Sequence, residues 1–232
     1  MSNPYFRFKQ FTVYHDLCAM KVGIDGVLLG SWADCWNIRY ALDVGAGSGL
    51  IALMLAQRSE ARIHAIDIDE NACKQAKINF TNSPFSDRLS IEFVAFQNFS
   101  STCRYDLIVS NPPYFAHSLK SPDMNRNLAR HNDHLPLNVL IEKSASLLSP
   151  QGKAAFIIPF DRWENVHRLA VENQLFLSRK AEVSPLPNGT PKRVLLEYSF
   201  INKPLTEDRF YIGKTKETYS NEYRTLTEDF YL

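Results

Sequence analysis

The sequence predicts an α/β protein with a mostly parallel sheet and helices on both of its faces. Five apolar runs lie at about residues 40–44, 62–66, 89–94, 105–110 and 153–158, and helix-like stretches separate most of them. Parallel strands covered on both faces have this appearance, because neither face meets water. The second observation is a glycine-rich turn after the first run, since strand, glycine turn and helix in that order are typical of nucleotide sites.

The first predicted strand, 40–44, leads into Gly45-Ala46-Gly47-Ser48-Gly49 and then into a helix that begins near Leu50. Glycines in such a turn let the backbone approach a ligand closely. The spacing is Gly-x-Gly-x-Gly, and Leu50 stands where the NAD-binding pattern has its last glycine or alanine. The turn therefore favours a nucleotide-type ligand other than NAD.

The second predicted strand, 62–66, ends in Asp67-Ile68-Asp69. An acidic residue at about this distance from the glycine turn commonly hydrogen-bonds the hydroxyl groups of a ribose. Asp69 is a candidate N-cap for the next helix, because Asp side chains accept hydrogen bonds from the first free N–H groups. Asp67 is therefore the residue predicted to bind the ribose.

The fourth predicted strand, 105–110, ends at Asn111-Pro112-Pro113-Tyr114. The carboxamide oxygen of Asn111 and the carbonyl oxygen of Pro112 can each accept a hydrogen bond from one exocyclic NH2 group, while the Tyr114 ring stacks on the plane that carries it. Proline suits such a site because it fixes φ and lacks an N–H donor. The alternative interpretation is a simple strand-ending turn, since Asn and Pro both favour turns.

The remaining elements follow the fifth strand. Residues 161–164 resemble a capping box, which predicts a helix over about 161–174. Two further strands, near 176–183 and 193–200, flank a hairpin-like connection at 185–191.

The glycine turn, the acid after the second strand and Asn-Pro-Pro-Tyr after the fourth resemble, in order and spacing, the class I methyltransferases that use S-adenosylmethionine and methylate exocyclic or amide nitrogens. The resemblance implies a Rossmann-like fold with a mostly parallel seven-stranded sheet and an antiparallel closing strand. It implies catalytic roles for Asn111, Pro112 and Tyr114. The cofactor-binding residues that it implies are Asp43, Gly45, Ala46, Gly47, Gly49, Asp67, Ile68 and Asn111.

Five further segments are similar to the bacterial family that makes N6-methyladenosine at position 37 of valine tRNA, beside the anticodon. They are residues 6–13 and 20–30 of the lead-in, residues 126–131, residues 191–197 and the chain end 227–232. The resemblance thus covers nearly the whole chain, and it implies that the partner is the anticodon arm of a tRNA.

The segment after the third strand departs from the methyltransferase pattern. Many of these enzymes place an acidic residue there against the adenine of the cofactor, but residues 94–99 contain no acid. Gln97 or Asn98 could supply amide hydrogen bonds, and apolar contacts with backbone groups are the alternative.

Length and composition predict one domain over 1–232, with residues 1–38 as a lead-in that packs on the cofactor site and 202–232 as a C-terminal tail. The chain has 45% hydrophobic and 22% charged residues, enough to bury one core. The four cysteines form no Cys-x-x-Cys pair, which suggests neither zinc nor disulfides. No signal peptide or membrane span is apparent, and the expected location is the cytoplasm.

The net charge is only +1, so an RNA-binding surface has to be a local patch. Arg7 and Lys9 near the start are candidates, and so is the segment after the catalytic loop. The residues predicted to contact tRNA are Tyr114, Lys120, Arg126, Arg130, His131, Lys192 and Arg193. For any one of these cations, an ordinary solvated side chain is the alternative. No metal is predicted, because the His131 to His134 cluster has no matching ligands elsewhere.

The predicted reaction is direct transfer of the methyl group to an adenine N6 amino nitrogen in tRNA, without a covalent enzyme intermediate. Three alternatives remain at this point. The first is a glutamine methyltransferase that acts on release factors, which would use the same loop on a side-chain amide. The second is a DNA adenine methyltransferase, although the chain has little spare length for the recognition domain expected of one. The third is an inactive methyltransferase-like subunit that binds RNA or takes part in assembly.

Overall fold

The computed structural model describes residues 3–113, 135–215 and 217–232. Its strands are β1 (Tyr5–Arg7), β2 (Thr12–Tyr14), β3 (Tyr40–Val44), β4 (Arg62–Asp67), β5 (Leu89–Phe93), β6 (Tyr105–Ser110), β7 (Leu148–Pro159), β8 (Phe176–Ser184), β9 (Arg193–Ser199) and β10 (Thr206–Tyr211). Its helices are α1 (Ile24–Trp32), α2 (Leu50–Arg58), α3 (Glu70–Thr81), α4 (Leu137–Leu147), α5 (Trp163–Glu172) and α6 (Asn221–Thr227). No helix in these ranges is long and apolar enough to cross a membrane.

The central sheet has the strand order β10-β8-β9-β7-β6-β3-β4-β5, and β1 and β2 form a separate hairpin. Strand β9 is antiparallel to β7 and β8, while the other neighbours are parallel. The predicted mostly parallel sheet with an antiparallel strand near one end is therefore confirmed.

The sheet has eight strands, one more than the seven predicted. The additional strand, β10, lies in the segment that the sequence suggested was a tail. It is an edge strand whose first residues are exposed and polar, so it shows no apolar run. Its side chains pair with β8 instead: Arg209 with Glu182, and Glu207 with Lys180 at 3.2 Å.

Both faces of the sheet are buried under helices, as predicted. Strand β3 shows this clearly, because Ala41 packs into the core that α1, α2 and α3 cover, whereas Leu42 and Val44 pack into the core with α4 and α5. Alternate side chains of a strand point to opposite faces, so a strand between two cores is apolar throughout.

Two helix starts test the predicted caps. The Asp69 carboxylate accepts a hydrogen bond from the N–H of Asn71 at 2.8 Å, which confirms Asp69 as the N-cap of α3. The capping box predicted at 161–164 is wrong. Residues 160–162 form a 3-10 turn, and α5 begins at Trp163 without a side-chain cap.

Candidate active site

The sequence motifs meet at the carboxyl edge of three adjacent parallel strands. Val44 at the end of β3 is in register with Ile66 of β4 on one side and with Ser110 of β6 on the other. The glycine turn, Asp67 and Asn111 follow these strand ends directly. Ligands of open α/β sheets bind at this edge, because the loops from neighbouring strands converge there.

The glycine turn has a backbone that favours glycine at three positions. The φ angles are +74° at Gly45, +55° at Gly47 and +80° at Gly49, in the left-handed region that other residues rarely adopt. A Cβ atom on Gly45 or Gly47 would meet no atom within 4 Å, whereas one on Gly49 would lie 2.4 Å from Cε1 of Phe80. The first two glycines thus border open space, and Gly49 packs against α3.

The Asp67 carboxylate is held in place by two backbone N–H groups. Gly47 donates to Oδ2 at 2.7 Å and Asp69 donates to Oδ1 at 2.9 Å. Burial of the half-buried side chain raises its pKa despite these donors. A carboxylate has about four lone-pair sites, so about two remain for ligand hydroxyl groups.

Asp43 lies one strand away and is fully buried. Its Oδ2 accepts a hydrogen bond from the N–H of Ala52 in α2 at 3.1 Å, while Oδ1 has no hydrogen-bond partner among the described residues. Burial, with a smaller effect of nearby Asp67, raises the pKa of Asp43 to about 7. A buried carboxyl oxygen without a partner is suited to a cationic or N–H donor group of a ligand.

The end of β6 is fixed beside the glycine turn. The Ser110 hydroxyl donates to the carbonyl of Val44 at 2.8 Å, immediately before the Asn-Pro-Pro motif begins. Asn111 is half-buried and Pro112 is buried, while Pro113 is exposed. The acceptors proposed for an amino group therefore lie at the edge that carries Asp67.

Tyr114 and four predicted RNA contacts, Lys120, Arg126, Arg130 and His131, lie outside the described residues. Their roles stay predictions.

Comparison with known proteins shows the family of the chain. Residues 28–159 match the model of the methyltransferase small domain. The chain belongs to this family. A protein from Parabacteroides distasonis named tRNA1(Val) (adenine(37)-N6)-methyltransferase is 50% identical over 100% of this chain and 99% of its own length. A protein of the same name from Trichodesmium erythraeum is 44% identical, with the same coverage of both chains.

Solved structures agree with the fold. A predicted O-methyltransferase from Agrobacterium tumefaciens aligns with a TM-score of 0.68 and 16% identity, covering 89% of this chain and 96% of its own. A glycopeptide N-methyltransferase complexed with S-adenosylmethionine aligns with a TM-score of 0.52 and 12% identity, covering 70% and 87%. At these identities the likeness concerns the fold alone.

In this methyltransferase the N-terminal lead-in approaches the carboxyl edge from the side of α3. The N–H of Leu17 donates to Oε1 of the buried Gln75 at 2.9 Å. Burial and the nearby carboxylates of Asp67 and Asp69 raise the pKa of the Cys18 thiol to about 12. Cys18 therefore lies near the charge of Asp67, the residue predicted to bind the ribose.

A second buried amide, Asn79, joins the lead-in to the glycine turn. Its Oδ1 accepts from the N–H of Tyr14 at 2.9 Å, and its Nδ2 donates to the carbonyls of Tyr14 and Ser48, both at 2.8 Å. The sequence analysis did not identify Asn79 or Gln75. A signal was available, because two amides four residues apart share a helix face with Ala72 and Ala76.

The lead-in is also tied to the other side of the sheet. Nε of Arg193, at the start of β9, donates to Oδ2 of Asp25 in the first turn of α1 at 2.7 Å. Lys192 is exposed. Both residues were predicted to contact tRNA. For Arg193 the structure shows an ion pair with Asp25, and its contact with tRNA stays a prediction.

The segment after β5, where an adenine-binding acid is absent, is apolar and fixed through its backbone. Phe96 and Phe99 are buried in the core. Nζ of Lys143 donates to the carbonyls of Gln97 at 2.8 Å and Phe99 at 2.7 Å. Ile68, after β4, is 43% exposed. The amides of Gln97 and Asn98 and the apolar and backbone groups of this segment both stay predictions for the adenine contact.

No group of three or more potential metal ligands occurs within residues 3–113, 135–215 and 217–232. The His131 to His134 cluster falls outside those ranges.

Proposed function

We propose that this methyltransferase transfers a methyl group from S-adenosylmethionine to the N6 amino group of adenine 37 in valine tRNA, next to the anticodon, in the cytoplasm. The observation that carries the proposal is the Asn111-Pro112 pair at the end of β6, directly beside the glycine turn of β3. The names of relatives that match over the full length support the choice of tRNA and position.

The residues at the carboxyl edge fit the cofactor. Gly45 and Gly47 leave open space beside the turn, which would accept the methionine part of the cofactor. The fixed carboxylate of Asp67 would bind the ribose hydroxyls, and the spare oxygen of Asp43 would face positive charge. S-adenosylmethionine supplies an electrophilic methyl group on a sulfonium.

The chain contributes positioning and charge to the transfer. The carboxamide oxygen of Asn111 and the carbonyl oxygen of Pro112 would accept hydrogen bonds from the adenine NH2 group and turn the nitrogen lone pair out of conjugation with the ring. Tyr114 would stack on the base and hold it in line with the carbon–sulfur bond. The transfer would form a nitrogen–carbon bond at the amino group and break the carbon–sulfur bond of the sulfonium, so that the thioether product would leave and the amino nitrogen would give up one proton to solvent. Catalysis of this kind comes mainly from orientation.

Access of the base to such a site requires that it leave its stack. An adenine in an anticodon loop does so at lower cost than one in a duplex, because it is not paired.

The test is transfer of labelled methyl groups to unmodified valine tRNA, followed by mass spectrometry of the nucleosides. N6-methyladenosine at position 37 is expected with the unaltered chain, and Asn111→Ala should abolish most of the signal. A tRNA in which adenine 37 is replaced by guanosine is the matched substrate control. Methylation of a release-factor glutamine with none on tRNA would refute the proposal, and so would a fully active Asn111→Ala variant.

A further inference from the structure

The β1–β2 hairpin presents one exposed face with two tyrosines and an arginine. Tyr5 pairs with Tyr14 and Arg7 with Thr12, so alternation along the strands places these four side chains on the same side. Tyr5 is 40% and Tyr14 is 39% exposed, and their ring centroids are 5.7 Å apart. Arg7 is exposed next to them. We call these four residues the hairpin face.

The other side of the hairpin is anchored in the core. Phe8, Phe11 and Val13 are buried, and the turn is closed by a hydrogen bond from the N–H of Phe8 to the carbonyl of Phe11 at 2.8 Å. The N–H of Lys9 donates to the carbonyl of Phe230 at 2.8 Å. The tyrosines therefore stand on a supported platform, and a partner that stacks on them need not order a loose segment.

The segment that forms the hairpin carries only positive side-chain charge, which favours an anionic partner. The first fifteen residues contain Arg7 and Lys9 and no acidic side chain, since the first acid of the chain is Asp16. This local excess contrasts with a net charge of +1 for the whole chain. Exposed aromatic rings beside cations form the surface on which single-stranded nucleic acids stack their bases.

The hairpin that carries this face is linked to the candidate active site. Tyr14 is bonded through both its N–H and its carbonyl to the carboxamide of Asn79, and the same carboxamide donates to Ser48 in the glycine turn. One residue, Asn79, thus links the hairpin to the glycine turn. A substrate whose reactive base occupies the carboxyl edge would therefore lie near the hairpin.

We infer that the hairpin face is a docking surface for the tRNA substrate, on which Tyr5 and Tyr14 stack unpaired bases and Arg7 neutralises a phosphate. The inference rests on the proposed function and extends it to a surface at the opposite end of the sequence from the 114–134 and 192–193 candidates. Stacking tolerates any base, so this face contributes affinity, and sequence selection is left to other contacts.

The test measures tRNA affinity directly, apart from methyl transfer. Tyr5→Ala combined with Tyr14→Ala should raise the Kd for valine tRNA about 25-fold or more, because each of the two lost stacks weakens binding about 5-fold or more. The Kd for S-adenosylmethionine should not change, because the backbone bonds of residue 14 remain. Tyr5→Phe with Tyr14→Phe should restore tRNA affinity, since the rings still stack. Arg7→Ala should lower the slope of log Kd against log salt by about one, the value for the loss of one phosphate contact.

A matched control lies at the opposite edge of the sheet. Tyr40, 39% exposed, is in register with the exposed Arg62 at the amino ends of β3 and β4. Tyr40→Ala with Arg62→Ala should leave the Kd for tRNA unchanged, which separates a specific loss from a general loss of surface charge and aromatic area.

Three outcomes would overturn the inference. An unchanged tRNA Kd in the Tyr5/Tyr14 alanine variant, with normal adenine methylation by the unaltered chain, would refute the docking surface and leave the proposed function standing. A dimer by light scattering that this variant abolishes, with tRNA affinity unchanged, would assign the face to a second copy of the chain. Absence of tRNA binding and methylation in the unaltered chain would refute both.

Discussion

Replacement of Gly49 by alanine is the perturbation whose size the structure sets most directly. The residue has φ +80°, and its new Cβ would lie 2.4 Å from Cε1 and 2.8 Å from Cζ of Phe80. The left-handed backbone costs an L-residue about 1–2 kcal/mol. Overpacking of a well-filled core adds about 1–3 kcal/mol, because the Phe80 ring has to move. We expect Gly49→Ala to lower the free energy of unfolding by about 2–5 kcal/mol.

Gly47→Ala is the matched control. Its φ of +55° carries a similar backbone strain, but the added Cβ meets no atom within 4 Å. Its loss of unfolding free energy should therefore be limited to about 1–2 kcal/mol. Its larger effect should fall on the Kd for S-adenosylmethionine, since the methyl group enters the space proposed for the cofactor.

Urea unfolding gives the stability of each variant, and calorimetry gives the cofactor Kd. In the Gly49→Ala background, Phe80→Leu removes the ring atoms that clash, so the double variant should recover part of the loss and show coupling in a double-mutant cycle. Equal destabilisation of Gly49→Ala and Gly47→Ala, without coupling to Phe80, would refute the steric argument. An unchanged cofactor Kd in Gly47→Ala would refute the placement of the cofactor.

Three further predictions concern the acids and the amide of the site. The pKa of Asp43 is raised to about 7 in the folded state, so the folded protein retains a proton that the unfolded chain loses near the ordinary pKa of 3.8. The free energy of unfolding should therefore fall by about 4 kcal/mol as pH rises from below 3.8 to above 7. Urea titrations at several pH values should show a flatter dependence for Asp43→Asn, and the same pH dependence in both proteins would contradict the burial argument. Asp67→Asn should weaken cofactor binding about 10- to 100-fold by calorimetry, the scale of hydrogen bonds to a charged group, and normal affinity would exclude Asp67 as the ribose ligand. Asn111→Ala should lower kcat at saturating cofactor about 100-fold or more in the tRNA assay while the cofactor Kd changes little. A raised cofactor Kd with an unchanged kcat would instead indicate a role in cofactor binding alone.

The sequence predicted most of the parallel sheet because a strand that is buried on both faces is a continuous apolar run. The apolar runs at β3, β4 and β6 and the glycine turn between β3 and α2 are contiguous in the chain, so their order could be inferred without contacts. The N-cap at Asp69 is equally local. The hydrogen bond between Asp67 and the N–H of Gly47, twenty residues earlier, was not predicted and required the structure.

Elements that produce no pattern in the neighbouring sequence were missed for a physical reason. Strand β10 is stabilised by ion pairs to β8 at a sheet edge, and polar edge strands do not show an apolar pattern. Strands β1 and β2 are three residues each, too short for their alternation to stand out. The amides of Gln75 and Asn79 bond backbone groups of residues 58 and 65 positions away, so the helix face that they share was visible in the sequence but their partners were not.

The positive side chains illustrate how the structure changes the search for an RNA surface. Arg193 became a candidate because it is basic and belongs to a segment that resembles the tRNA enzymes, yet its guanidinium pairs with Asp25, 168 residues away. That pair joins the lead-in to β9 across the end of the sheet that carries the glycine turn. A cation in this position stabilises the frame of the site whether or not it also meets a phosphate. Arg7, by contrast, is exposed beside two tyrosines in an acid-free segment. The sequence analysis placed Arg193, and not Arg7, among the predicted tRNA contacts, but the difference in their surroundings favours Arg7 as the phosphate contact to test first.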